Sequence, residues 1–85
     1  MLDDLLPAKT AVDVLESLDP EQTDLYRVDG FLRHADGQFE SRLDLIVDFG
    51  HMQQFTCAER MQIARLFITN RAADEIFFEL HCDPS

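Results

Sequence analysis

Cys57, Cys82 and His51 are the side chains best suited to hold a metal ion in this sequence, and His34, His81 and Ser41 those best suited to acid–base or nucleophilic work. Structural zinc sites are recognisable by closely spaced ligand pairs such as C-x2-C, and neither cysteine belongs to one. The expected topology puts Cys57 and Cys82 at the same end of the domain, which permits a disulfide, but two cysteines in a chain that reads as cytosolic are more often reduced core thiols. His34 and His81 have no sequence-adjacent partner of the triad type, and Ser41 lies within a strand pattern without a glycine elbow. Gly30, Gly37 and Gly50 are too scattered to cradle a phosphate. No residue is therefore assigned as catalytic, cofactor-binding or metal-ligating, and the protein is expected to be non-enzymatic and to use no cofactor.

The carboxylates point to contact chemistry instead. Seventeen Asp and Glu oppose seven Lys and Arg, for a net charge of −10 on 85 residues. The excess is concentrated: residues 1–26 hold seven acids (Asp3, Asp4, Asp13, Glu16, Asp19, Glu21, Asp24) against Lys9. The other two thirds interleave acids with arginines. Asp13, Glu16 and Asp19 recur every three residues on the outer side of an expected helix, with Glu21 and Asp24 just beyond. Such a row suits charge-assisted bonds to an Arg- or Lys-lined surface. It equally suits a solvated face that keeps a small protein in solution. A surface of this sign repels nucleic acid and anionic membrane, so neither is an expected partner.

A coarse reading of the chain supplies the elements that place these residues. Thr10 reads as the N-cap of a helix over 10–19 whose inner stripe is Ala11, Val14, Leu15 and Leu18, ended by Asp19-Pro20. Asp36-Gly37 between two alternating runs reads as a two-residue hairpin turn joining strands over 25–34 and 39–49. That register sets Arg33 opposite Glu40 and Asp29 opposite Asp44. It turns Tyr26, Val28, Leu32, His34, Phe39, Leu43, Leu45, Val47 and Phe49 to the core. Phe31 and Ile46 fall on the other face, among charges. Thr56-Cys57-Ala58-Glu59 is a capping box that opens a helix over 57–69. Its inner stripe is Cys57, Met61, Ala64 and Ile68, and Ile63, Leu66 and Phe67 form a second apolar side. Glu75 to Cys82 alternates again and reads as a strand over 75–82, with Phe77 on its outer face, although Ala72-Ala73-Asp74-Glu75 also suits helix.

The expected architecture is a single α+β domain over residues 1–85: a 1–9 arm, then α-β-β-α-β, with a three-stranded, mostly antiparallel sheet in order 2-1-3 and both helices on one face. Phe31, Ile46 and Phe77 then form an apolar patch on the uncovered face unless Leu2, Leu5 and Leu6 fold over it. With 46% hydrophobic residues and seven Phe, the chain is too apolar for a disordered acidic tail. Its start lacks the basic region of a signal peptide, and no apolar run approaches the roughly 20 residues of a membrane span. A soluble, cytoplasmic protein is expected.

In size and charge, over the whole chain, the sequence resembles phage-encoded inhibitors such as anti-CRISPR and antirestriction proteins, several of which mimic DNA. The resemblance implies a protein that blocks a nucleic-acid-binding partner, and it transfers no residue roles. The expected function is thus binding to a basic, nucleic-acid-binding protein. The contact residues would be Asp13, Glu16, Asp19, Glu21 and Asp24 for charge, with Phe31, Ile46, Leu66 and Phe77 as apolar anchors. The other reading is a small accessory subunit or homodimer that uses the apolar sheet face, with the charge serving solubility.

Overall fold

The computed structural model describes residues 5–51 and 54–84. A short strand β1 (Leu6–Pro7) leads into helix α1 (Ala8–Ser17), then strands β2 (Thr23–Arg33) and β3 (Phe39–Asp48). A 3-10 turn over Phe49–His51 follows, then helix α2 (Cys57–Asn70) and strand β4 (Ile76–Pro84). The class is α+β, and the sheet is antiparallel in the order β1-β4-β2-β3. It has four strands rather than three. The added strand is the edge pair Leu6–Phe78 and Pro7–Phe77, formed by residues expected in the 1–9 arm.

That edge strand explains why α1 starts early. Pro7 is the N-cap, in extended backbone (φ −57°, ψ 155°) and without a side-chain cap. Thr10 lies inside the helix instead of capping it. Pairing of Leu6–Pro7 to β4 fixes where the chain turns, and Ala8 packs against the core from the first helical position. These tertiary contacts outweigh the modest value of a threonine cap, about 1 kcal/mol. The helix stops at Ser17, with Leu18 extended before Asp19-Pro20. The capping box of α2 is formed in full: Thr56 Oγ1 accepts from the Glu59 amide at 3.1 Å, and Glu59 Oε1 accepts from the Thr56 amide at 2.8 Å.

The hairpin departs from its expected register twice. Only Gly37 has positive φ (89°) among the described residues, whereas a two-residue Asp-Gly turn needs it at both positions. The loop is three residues long, closed by His34 and Gln38, and Asp36 Oδ1 accepts from the Gln38 amide at 3.0 Å. Arg33 therefore faces Phe39, not Glu40. Further along, Gly30 of β2 stands alone opposite four β3 residues, Arg42 to Leu45, between the pairs Phe31–Ser41 and Asp29–Ile46. At this large bulge Leu45 points in (8% exposed) and Leu43 points out (90% exposed). Asp29 consequently faces Ile46 and not Asp44.

A second bulge, at Tyr26, shifts β2 against β4 between Leu25–Cys82 and Arg27–His81. Leu25 and Val28 both face inward as a result, and Tyr26, expected in the core, is exposed. Phe39 and His34, also expected inward, are exposed near the hairpin tip. The core sits between the sheet and both helices. Leu25, Val28, Phe78 and Leu80 meet Ala11 and Leu15 of α1 and Met61, Ala64 and Ile68 of α2, with Phe49 closing one end. Each large side chain buried there contributes about 1.5–3 kcal/mol.

Candidate functional site

Strand period and cross-strand register place charged residues together on the face away from the helices. Asp29 pairs with Glu79, and Arg27 with His81. The Tyr26 bulge sets this register, since it brings Arg27 rather than Tyr26 opposite His81. Asp29 is the buried charged residue of the described chain, 9% exposed. Its Oδ1 accepts from Arg27 Nε at 2.6 Å, and its Oδ2 lies 3.1 Å from His81 Nε2. The same His81 nitrogen lies 3.0 Å from Glu79 Oε1. The hydrogen bond to Asp29, and then its charge, holds the Arg27 guanidinium above its ordinary pKa. Tyr26 flanks the cluster, its ring centroid 6.0 Å from that of His81. A buried carboxylate, a second carboxylate and an imidazole thus converge, with one carboxylate oxygen oriented by an arginine.

Farther along the same face lies an apolar strip. Phe39 and Phe77 meet edge-on with centroids 5.4 Å apart, and the Arg33 guanidinium stands 5.1 Å from the Phe77 centroid. Phe31, the cross-strand partner of Phe77, is half-buried there, and Ile46, the partner of Asp29, is half-buried next to the charged cluster. Leu6 does not cover this strip, because it pairs with Phe78 and packs into the core on the other side of the sheet. Leu5, just before β1, is half-buried, and Leu2 lies outside the described residues.

The acidic row is on the helical side. Asp13, Glu16, Asp19 and Glu21 are exposed, and Asp24 is partly buried. Glu16 Oε1 lies 3.8 Å from Arg65 Nε, and Asp24 Oδ1 lies 2.9 Å from Arg60 Nη2. Asp19 Oδ1 accepts from the Glu21 amide at 2.9 Å and shapes the connection after α1. Arginines of α2 therefore offset part of the row. Leu66, expected as an apolar anchor, is on α2, 61% exposed and next to Arg65 in sequence. The nine expected contact residues accordingly fall on two surfaces: the acids and Leu66 with the helices, and Phe31, Ile46 and Phe77 on the open sheet face.

Both cysteines are free and half-buried. Cys57 donates to the Thr23 carbonyl at 2.9 Å. Burial, and then the neighbouring Cys57, pushes the Cys82 thiol up to about 11. A thiol protonated so far above neutral pH is a poor nucleophile and a reluctant metal ligand. The side chain of His51 lies outside the described residues. His34 Nε2 is 2.8 Å from Glu40 Oε1 in an exposed pair at the hairpin tip.

The Asp29–Glu79–His81–Arg27 cluster was not singled out by residue type or spacing. Its signal was nonetheless present, since Arg27 and Asp29 share the outer face of one strand pattern with Glu79 and His81 on the outer face of the other. Alternation assigns the face, but the pairing depends on a bulge that alternation does not mark. No protein-family model, curated protein or solved structure matches the chain. Among the described residues, no helix is long and apolar enough to cross a membrane.

Proposed function

We propose that this protein is a non-enzymatic binding domain whose acidic helical side occupies a basic surface of another protein. In its most concrete form it is an inhibitor that blocks the groove of a nucleic-acid-binding protein, of the phage anti-defence or DNA-mimic kind. The observation that carries the proposal is the exposed row Asp13, Glu16, Asp19 and Glu21 on a chain of net charge −10. Leu66, exposed on α2 one residue after Arg65, supplies the desolvated anchor that charge alone rarely provides. Pairing of Glu16 and Asp24 with α2 arginines makes the contact local, a short acidic edge rather than a whole-body imitation of duplex DNA. The test is capture of the partner on the immobilised chain followed by competition. The proposal expects a captured nucleic-acid-binding protein that duplex DNA and this chain bind mutually exclusively. A captured protein that binds both at once refutes the inhibitor form.

A second reading rests on a separate observation: Phe31, Phe39, Ile46 and Phe77 lie half-buried to exposed on the sheet face away from the helices. In that reading the protein is a homodimer or accessory subunit that docks through its sheet. Sedimentation at low and high salt separates the two. A salt-insensitive dimer favours the sheet contact, and a monomer favours the acidic one.

A further inference from the structure

We infer that Asp29, Glu79 and His81 form a binding site for a divalent first-row transition ion, with Zn2+ as the best-matched occupant. The three donor atoms come from two adjacent strands and all lie within 4.8 Å of one another. Glu79 and His81 are two apart on β4, so strand period puts both on one face, and Asp29 is the direct cross-strand partner of Glu79. Ligand atoms bound about 2.0–2.1 Å from such an ion sit roughly 3.0 Å apart at right angles and roughly 3.4 Å apart at tetrahedral angles. The His81 Nε2 distances to Asp29 Oδ2 and Glu79 Oε1, 3.1 and 3.0 Å, are edges of that size. An imidazole nitrogen carries at most one proton and satisfies one carboxylate well. Two carboxylates aimed at the same nitrogen is the arrangement a shared cation resolves.

Supporting contacts hold the set in place. Arg27 Nε binds Asp29 Oδ1 and leaves Oδ2 for the ion, which is how outer-shell donors orient metal-bound carboxylates. The three side chains are largely shielded, Asp29 most of all, yet among the described residues both helices lie on the opposite face of the sheet. The ion would keep open positions toward solvent for water or for a donor from a docked molecule. One imidazole with two carboxylates favours zinc and its first-row neighbours over Mg2+ and Ca2+, which prefer all-oxygen sets. The site is independent of the acidic helical contact proposed above.

Zn2+ alone, titrated into the reduced protein by calorimetry, tests the inference. One ion should bind per chain, and Mg2+ should not compete. The Cys57→Ser/Cys82→Ser double variant should bind as the parent does. Loss of an outer-shell partner already costs metal sites 10–100-fold, so His81→Ala and Glu79→Gln should each weaken binding by at least about a hundredfold. Glu79→Gln preserves shape and keeps the test decisive if His81→Ala fails to fold, as read from far-ultraviolet circular dichroism. Bound Co2+ should give a visible spectrum without a thiolate charge-transfer band. Absence of saturable Zn2+ binding, binding unchanged in Glu79→Gln, or binding lost only in the cysteine variant would each overturn it.

Discussion

Gly30→Ala should destabilise the protein by about 2 kcal/mol. Gly30 is not in left-handed backbone, so a side chain there meets no conformational barrier of its own. The obstacle is the β3 bulge, which folds Leu45 over the glycine. A Cβ at position 30 would stand 2.8 Å from the Leu45 carbonyl oxygen and closer still to the Leu45 Cβ. Neither atom is the tip of a flexible chain, so the two strands must separate. Overpacking of this kind costs about 1–3 kcal/mol. Contact with backbone places this case at the upper end, and the reduced freedom of the unfolded Ala chain returns about 0.4–1 kcal/mol. For a domain of this size, about 2 kcal/mol lowers Tm by roughly 8–16 °C. Urea unfolding followed by circular dichroism should show a lower midpoint with an unchanged slope. A variant as stable as the parent, or more stable, would mean that Leu45 does not cross Gly30 and that the bulge is misplaced.

Other consequences are open to measurement. Leu43→Ala should change stability by less than about 0.5 kcal/mol, while Leu45→Ala should cost about 2–5 kcal/mol; equal effects would restore the unbulged register. Thr56→Ala removes the cap of α2 and should cost about 1 kcal/mol by chemical denaturation, and no loss would refute the capping box. Hydrogen bonds from Thr56 hold the Glu59 carboxyl below its ordinary 4.5, so its contribution is present above that pH and is lost as pH falls through the lower folded value. For Cys82 the sign is opposite: its folded thiol is raised from 9.0 to about 11, so stability declines as pH rises through that window. Alkylation of Cys82 in the folded protein should accelerate toward pH 11, and a midpoint near 9 would contradict its burial.

What residue patterns reveal here is largely period and capping. The capping box at Thr56, the buried stripe Met61–Ala64–Ile68 and the inward set Ile76, Phe78, Leu80 and Cys82 are all local signals, and the structure contains each. The misses are non-local. Tyr26, Phe39 and Leu43 carry strand-core residue types, but bulges and a three-residue turn reverse their faces. Those irregularities are set by which atoms approach across the sheet, such as Leu45 over Gly30. Thr10 looked like a cap because Leu6–Pro7 had no visible reason to be a strand. The Asp29–Glu79–His81 cluster stayed hidden for the same cause, since its members meet only through the β2–β4 register.

In the proposed function the acidic helical side steers this protein onto a basic partner. The most direct measurement is the association rate with the captured partner across a salt series, for the parent chain and for a variant carrying Asp13→Asn, Glu16→Gln, Asp19→Asn and Glu21→Gln. Electrostatic steering raises on-rates by about 10–1,000-fold and fades with ionic strength. The parent rate should fall steeply with salt, and the variant should be at least about tenfold slower at low salt with a shallower salt dependence. Equal rates and equal salt slopes for the two proteins would contradict it and leave the charge a matter of solubility.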